Sequence, residues 1–270
     1  MRRSQLAINT VSLKGSLEEI LAACAEAGFA NVEFALGPIR DRPVPELRHL
    51  LQRHGLRCIG GFETGLEAFS DKEQRANNHA RIIENARLLA QLGSRCCLVV
   101  GTDGPAHSVA DPIGVLAEAF ATVADAIADT DVKLCLEFNW SPLVKSLRTA
   151  VEVVQRAGRP NVGVLFDPAH YHCTPTKFDQ INALSVAHIY HVHVDDMRDK
   201  PGELSHCNED RVLPGQGCLD LRAIFDALER YGYRGYYSIE MFSKELWALP
   251  PLEAAKRMYD SLLPYCEEQN

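Results

Sequence analysis

Four apolar segments in the second half of the chain each end in carboxylate or imidazole side chains. These side chains are Glu137, Asp167, the pair His191 and His193 followed by Asp195 and Asp196, and Glu240. Carboxylates gathered at one place would repel each other, and each buried charge would lose its hydration. A divalent cation offsets both effects. Three oxygen ligands with one imidazole suit Mn²⁺, Mg²⁺ or Co²⁺, or Zn²⁺ with an expanded shell. The residue types therefore predict one divalent metal ion, with Mn²⁺ or Mg²⁺ favoured.

One histidine of the H-x-H segment is expected to supply the imidazole. Because side chains alternate along a strand, we expect only one of His191 and His193 to point inward, and periodicity alone does not say which. Asp195 and Asp196 either orient that imidazole or cap the end of the strand. Glu33, on an earlier predicted strand, either points to the same place or pairs with a lysine or arginine.

The segments that carry these residues alternate with amphipathic helices. The pattern Ser16-x-x-Glu19 predicts a capping box at the start of the first helix, and Ser70-x-x-Glu73 predicts a second capping box at the start of a later helix. The predicted strands cover residues 5–10, 31–36, 56–62, 96–101, 132–138, 161–167, 188–196 and 235–242.

Eight strands and eight helices in 270 residues give about 34 residues per unit, the size of a βαβ repeat. Strict alternation predicts a parallel eight-stranded sheet that closes into a (β/α)8 TIM barrel, an α/β fold, as a single domain over residues 1–270. In such barrels the active site lies at the carboxyl ends of the strands, where the residues above are predicted to lie. A doubly wound open sheet is the alternative, but no glycine fingerprint follows the first strand.

Composition narrows the choice of partners and location. With 28 basic and 36 acidic residues the net charge is −8, which disfavours nucleic acid and anionic membranes. The chain has no run of about 18 apolar residues and no apolar signal segment near its start, so a soluble, cytoplasmic protein is expected. Its nine cysteines follow no C-x-x-C pattern, and we expect reduced thiols packed as small hydrophobic residues.

Five segments together resemble the sugar phosphate isomerase/epimerase family, whose members are xylose isomerase-like barrels. The segments are LEFNWSP (136–142), NVGVLFDPAH (161–170), HIYHVHVDD (188–196), RVLPGQGCLDL (211–221) and GYYSIE (235–240). Their order and spacing are specific, although each segment alone is short. The resemblance implies that the metal is held by Glu137, Asp167, His193 and Glu240, and it is the resemblance that selects His193 over His191.

The resemblance also implies substrate contacts. His170 matches a D-x-x-H histidine that hydrogen-bonds a substrate hydroxyl. Arg211 matches an arginine before a P-G-x-G turn that reaches the sugar in ketose epimerases. Trp140 and Lys145, which follow the fifth predicted strand, are further candidates for covering the substrate or binding an anionic group. Leu143 stands where ketose epimerases carry a second glutamate, which weakens a claim to 3-epimerisation of free ketoses.

The predicted site favours proton abstraction next to a carbonyl group. A carboxylate on each side of the substrate, Glu137 and Glu240, could remove a proton from one face and return it, through a metal-stabilised enediolate. Return to the same carbon is epimerisation, and return to the neighbouring carbon is isomerisation. We therefore predict a metal-dependent isomerase or epimerase of carbohydrate metabolism, acting on a ketose, sugar phosphate or keto-cyclitol. If a β-hydroxyl leaves instead, the protein is a dehydratase, as are relatives that act on keto-inositols and 3-dehydroshikimate.

Two other classes share the predicted fold. Endonuclease IV-type barrels cleave abasic DNA with three metals, several more histidines and a basic cleft, which the net charge of −8 and the single H-x-H disfavour. A metal-stabilised barrel that only binds a partner is the other alternative. The sequence leaves the oligomeric state open; a homodimer and a homotetramer are the candidates, because both are common among relatives. The long segment 195–219, which contains His206, is a candidate lid.

Overall fold

The apolar segments form strands because their buried residues face either the barrel interior or the surrounding helices. The computed structural model describes residues 1–62, 65–93 and 95–267. Its strands are β1 (Leu6–Asn9), β2 (Asn31–Ala35), β3 (Arg57–Phe62), β4 (Cys97–Val100), β5 (Lys133–Glu137), β6 (Val162–Phe166), β7 (Ile189–Val194), β8 (Asp196–Met197), β9 (Arg211–Val212) and β10 (Tyr237–Ile239). Eight of them close into a parallel barrel in the order β1-β10-β7-β6-β5-β4-β3-β2. The predicted closed barrel is confirmed.

The helices cover the outside of this barrel. They are α1 (Leu17–Ala27), α2 (Val44–Arg53), α3 (Lys72–Leu92), α4 (Pro112–Ala126), α5 (Leu147–Ala157), α6 (Pro168–Cys173), α7 (Ala183–Val186), α8 (Leu221–Arg230), α9 (Lys244–Trp247) and α10 (Pro251–Leu262). Two short helices that the sequence did not predict, α6 and α9, come after β6 and β10, α6 after one intervening residue and α9 after four. Between α6 and β7 the chain forms only a 3-10 turn, Phe178–Gln180, followed by the single turn α7.

Helix ends show where local prediction held and where it failed. The Ser16 capping box is present, and Gly28 ends α1 in the left-handed conformation with φ of 111°. The predicted Ser70 capping box is wrong. Asp71 caps α3, because its carboxylate accepts the amides of Glu73 and Gln74, both at 2.9 Å. A carboxylate at this position accepts two of the free amides of the first turn and complements the helix dipole.

Buried side chains form two layers around the sheet. The outer layer packs strands against helices and includes Phe34 and Phe138, and the inner layer, within the barrel, contains Cys97, Cys135 and Leu165. All nine cysteines are free thiols, as expected. Within the described part of the chain, no helix combines the length and apolar character that crossing a membrane requires.

The segment between β7 and α8 folds back on the barrel mouth. Its strands β8 and β9 pair in antiparallel fashion, Asp196 opposite Val212 and Met197 opposite Arg211. The Asp196 carboxylate holds the following turn, because it accepts the amides of Gly215, Gly217 and Leu219 at 2.9–3.0 Å. This segment thereby delivers Arg211 to the centre of the barrel mouth.

Candidate metal centre

A cavity of about 520 Å³ opens at the carboxyl ends of the barrel strands. The predicted residues that line it are Glu137, Trp140, His170, His193, Arg211 and Glu240. A larger cavity, of about 1010 Å³, lies at the opposite end and is lined by residues at the amino ends of strands, such as Arg57 and Cys97. We place the chemistry in the smaller cavity because the carboxylates and imidazoles converge there.

The imidazole of His193 lies at the centre of the predicted ligands. Its Nδ1 atom is 3.4 Å from Oε2 of Glu240, 3.5 Å from Oδ2 of Asp167 and 3.9 Å from Oε1 of Glu137. This Nδ1 is buried and has no hydrogen-bond partner among the described residues. The structure thus brings together all four residues that the resemblance names.

The expectation that only one of His191 and His193 points inward is wrong. Both rings lie inside the barrel, with centroids 5.4 Å apart, and both contact Glu33. The physical reason is the two-residue period of a strand: residues at i and i+2 lie on the same face. His191 nevertheless stays out of the carboxylate cluster, because it lies one step deeper in the barrel.

Glu33 points into the barrel toward His193, as one of the two alternatives expected, and it pairs with histidines and not with a lysine or arginine. It is fully buried, and its carboxylate accepts hydrogen bonds from Nε2 of His191 at 3.0 Å and Nε2 of His193 at 3.1 Å. Burial by itself would raise the pKa of Glu33, but the charges of the two histidines and their hydrogen bonds outweigh it. The pKa of this carboxyl is therefore held well below its usual range.

Arg211 occupies the position of a counter-charge among the carboxylates. Its guanidinium is 1% exposed and lies 3.0 Å from Asp167, 3.0 Å from Asp195 and 2.8 Å from Glu240. The sequence reasoning assigned the whole counter-charge to a metal ion and Arg211 to the substrate. In the structure Arg211 lines the cavity, yet its amino groups contact the carboxylates. Asp195 contacts Arg211 and the amide of Ala169, not His193.

Further contacts hold the other site residues. Nδ2 of Asn9 donates to Oε1 of Glu240 at 2.9 Å, a contact that sequence reasoning missed because the two residues are 231 positions apart. The His170 amide donates to Oδ1 of Asp167 at 2.9 Å, and its ring Nε2 lies 3.4 Å from Oε1 of Glu137. Nδ1 of His170 is buried without a hydrogen-bond partner among the described residues.

The electrostatics of the cluster favour the ionised forms of His193, His170 and Glu240, whereas burial and the neighbouring Asp167 raise the pKa of Asp195 well above its usual value. Burial lowers the pKa of His193, but the carboxylates of Glu240 and Glu33 raise it more, so the pKa lies well above its usual value. For His170, burial is likewise outweighed by Asp167 and Glu137, and the pKa is raised. The pKa of Glu240 is lowered, because the charge of His193 overcomes the effect of burial.

Trp140 and Lys145 occupy different surroundings. Trp140 is 48% exposed and forms part of the cavity wall. Lys145 is exposed, its Nζ lies 5.9 Å from the centroid of the Trp140 ring, and it is not one of the described residues that line the cavity. His206 does line the cavity, and its Nδ1 accepts the amides of Asn208 and Glu209.

The donor set fits a divalent cation. Ligand atoms of Glu137, Asp167 and His193 all lie within 4.8 Å of one another, and Glu240 reaches the same imidazole nitrogen. Hard carboxylate oxygens with one nitrogen suit Mn²⁺, Mg²⁺ and Zn²⁺. The buried Nδ1 of His193, which has no hydrogen-bond partner among the described residues, fits a cation ligand, since buried polar atoms in native proteins are rarely unsatisfied.

An eight-stranded parallel barrel with such a cluster at its mouth is typical of metal-dependent TIM-barrel enzymes. The chain belongs to the xylose isomerase-like TIM barrel family, whose sequence pattern matches residues 21–264. The resemblance stated from the sequence segments is confirmed.

Individual relatives are isomerases and dehydratases. The chain is 34% identical over 143 residues to an inosose isomerase of Bacillus velezensis, a match that covers 52% of this chain and 50% of that protein. It is 29% identical over 277 residues to a 3-dehydroshikimate dehydratase of Pseudomonas aeruginosa, which covers 98% of this chain and 42% of that protein. The matched region therefore spans about half the length of these curated relatives.

Solved structures show the same fold. The crystal structure of the IOLI protein with a zinc atom aligns with a TM-score of 0.85 at 22% identity, over 97% of each chain. At this identity the likeness establishes the architecture, and the zinc atom belongs to that protein.

Proposed function

We propose that the protein is a divalent-metal-dependent isomerase or epimerase that moves a proton next to the carbonyl of a keto-cyclitol, ketose or sugar phosphate. The observation that supports this most directly is the unpartnered Nδ1 of His193 facing Asp167, Glu137 and Glu240 at the floor of the cavity. The similarity to an inosose isomerase favours a keto-cyclitol among these substrates.

The metal would be held by Glu137, Asp167, His193 and Glu240. A bound divalent cation supplies Lewis-acid polarisation of a substrate carbonyl and stabilises the negative charge that develops on its oxygen. Mn²⁺ or Mg²⁺ is our first choice, with Co²⁺ or Zn²⁺ as alternatives.

Proton transfer is assigned to the two glutamates at the sides of the cavity. Glu137, whose side chain is 17% exposed, can take a proton directly from a bound substrate. Glu240 is ionised at neutral pH, because its pKa is lowered, and Asn9 and Arg211 fix its orientation. Carboxylates held on two sides of one substrate can remove a proton at one face and return it at another.

The remaining cavity residues would bind and orient the substrate. His170, with its raised pKa, carries a proton that it can donate to a substrate oxygen. The exposed ring of Trp140 offers an apolar surface for the face of a sugar or cyclitol ring and would shield the reacting carbon from water.

A dehydratase is the second candidate. It is favoured by the 3-dehydroshikimate dehydratase match, which extends over 98% of this chain, whereas the isomerase match covers 52%. Leu143 in place of a second glutamate also argues against 3-epimerisation of free ketoses. The two reactions share proton abstraction and differ in whether a β-hydroxyl group then leaves.

The test is substrate conversion in D₂O. Metal-free protein reconstituted with Mn²⁺, Mg²⁺, Co²⁺ or Zn²⁺ is incubated with keto-inositols, ketoses, sugar phosphates and 3-dehydroshikimate, and the products are followed by NMR and mass spectrometry. A product that carries deuterium at the carbon next to the carbonyl, and otherwise has the elemental formula of the substrate, indicates isomerisation or epimerisation. A product that has lost one water molecule indicates dehydration. If the protein loaded with each of these metals neither exchanges hydrogen of any tested substrate nor converts it, the proposed function is wrong.

A variant pair separates catalysis from mere binding. Glu240→Gln is expected to abolish turnover while the barrel stays folded, and Glu118→Gln, on the exposed face of α4, is expected to behave as wild type. A barrel that only binds a partner would keep its function in both variants.

A further inference from the structure

The predicted metal ligand His193 and two buried side chains beneath the cavity, Glu33 and His191, form a hydrogen-bonded network across the barrel interior. Glu33 on β2 lies between His191 and His193 on β7, and the side chains of all three are at most 1% exposed. Nε2 of His191 is 3.0 Å from one carboxylate oxygen, and Nε2 of His193 is 3.1 and 3.2 Å from the two oxygens. The proposed reaction gives Glu33 and His191 no task.

The chemistry of these contacts fixes where the protons are. Nε2 of His191 and Nε2 of His193 both lie within hydrogen-bond distance of the same Glu33 oxygen. A carboxylate oxygen accepts both hydrogen bonds when each ring nitrogen donates, so Nε2 of His193 carries the hydrogen. The lone pair of a neutral His193 ring then resides on Nδ1. That is the buried nitrogen without a hydrogen-bond partner among the described residues, and it faces the three carboxylates.

We propose that Glu33 is a positioning residue that makes Nδ1 of His193 the metal-binding atom. It does so by fixing the tautomer and the direction of the ring, and its charge increases the basicity of that nitrogen. His191 holds the Glu33 carboxylate in place from the deeper side. This inference rests on the proposed metal centre.

A second metal ion bound by these three side chains is the alternative explanation of the cluster. Ligand atoms of Glu33, His191 and His193 also lie within 4.8 Å of one another. Hydrogen bonding is the better explanation, because the nitrogen–oxygen distances of 3.0–3.2 Å are those of hydrogen bonds and the cluster is sealed from solvent. The two explanations predict different metal contents.

The experiment compares metal binding by the wild type, Glu33→Gln and the surface control Glu118→Gln. Glutamine keeps an oxygen acceptor and nearly the same volume but removes the charge, so folding should be preserved and is checked by circular dichroism. The affinity for Zn²⁺ is measured by chelator competition, and the absorption spectrum of the Co²⁺ form reports the ligand geometry. Histidine ¹⁵N NMR of the Zn²⁺-loaded wild type identifies which nitrogen of His193 binds the metal.

We expect one metal ion per chain, bound through Nδ1 with the hydrogen kept on Nε2, and an affinity lowered about 10- to 100-fold in Glu33→Gln. The Co²⁺ spectrum should change in Glu33→Gln and not in Glu118→Gln. His191→Asn, which keeps an N–H donor for Glu33, should lose less affinity than Glu33→Gln.

The outcomes separate this inference from the proposed function. If the wild type binds one metal and Glu33→Gln binds it equally well with an unchanged spectrum, Glu33 has no positioning role although the metal centre stands. Binding through Nε2, or a second metal that disappears in Glu33→Gln, would also overturn the inference. If the wild type binds no divalent metal, the proposed metal centre itself fails. Should Glu33→Gln fail to fold, the NMR measurement on the wild type still decides which nitrogen binds.

Discussion

Replacing Arg211 with methionine tests whether this buried guanidinium balances the charge of the barrel mouth. The side chain is 1% exposed and lies within 3.0 Å of Asp167, Asp195 and Glu240. Methionine has a similar length and no charge, so the substitution leaves three buried carboxylates whose main remaining positive neighbours are the imidazoles of His193 and His170.

The size of the effect follows from the burial of these groups. Breaking a buried ion pair by removing one partner costs about 3–5 kcal/mol. For a chain of this size each kcal/mol lowers the melting temperature by about 2–4 °C, so Arg211→Met should melt roughly 6–20 °C below wild type in metal-free buffer. Calorimetry or circular dichroism of chelator-treated protein measures this shift.

A matched control is provided by Arg156, which pairs with Asp111 on the surface, where the two side chains are 39% and 57% exposed. Arg156→Met should cost less than about 1 kcal/mol, because solvent and salt screen an exposed pair. If Arg211→Met is no less stable than Arg156→Met, the reasoning about a buried counter-charge is refuted. Added divalent metal should stabilise Arg211→Met more than wild type, since the cation replaces part of the lost charge.

Three further outcomes are expected. Metal affinity should rise as pH increases through the raised pKa of His193 and fall by about tenfold per pH unit below it, because the metal binds the deprotonated ring. Calorimetry in two buffers would detect the released proton, and an affinity independent of pH would contradict this prediction. Cys218, which is exposed, should react with iodoacetamide first, whereas Cys24, with burial raising its pKa to about 12, should stay unmodified in the folded protein by peptide mass analysis. Gly60→Ala should lower the free energy of unfolding by about 1–3 kcal/mol, because a Cβ there would lie 2.5 Å from the backbone oxygen of Cys97. Gly37→Ala, where a Cβ would meet no atom within 4 Å, should leave the free energy of unfolding unchanged. Urea unfolding measures both variants.

The barrel was predictable because its signals are local. Each strand is a short apolar run and each helix an amphipathic one, so their alternation is visible within windows of about ten residues. The cap of α3 was harder to predict, because Ser70 and Asp71 are adjacent and both can accept a hydrogen bond. In the structure the Asp71 carboxylate accepts two amides of the first turn. The extent of the domain, 1–270, stays a prediction.

The predicted site residues lie together, yet their roles as ligands and catalysts stay predictions. What the sequence could not indicate were contacts between distant elements. Glu33 and His191 are 158 positions apart, and only the curvature of the closed sheet brings their side chains within 3.0 Å. Arg211 reaches the carboxylates because the connection after β7 folds back as a ribbon, which has no periodic signature. The error about His191 and His193 was different, because the two-residue period of a strand already contained the answer.

The closure of the barrel between β1 and β10 has a consequence for how the protein is made. During synthesis Asn9 leaves the ribosome more than two hundred residues before Glu240, the carboxylate that it holds. Until β10 is inserted, β1 and β7 are unpaired sheet edges, and such edges are prone to pairing with other chains. Insertion of β10 between β1 and β7 therefore removes both unpaired edges of the nascent sheet. The same step places the Glu240 carboxylate at the barrel mouth.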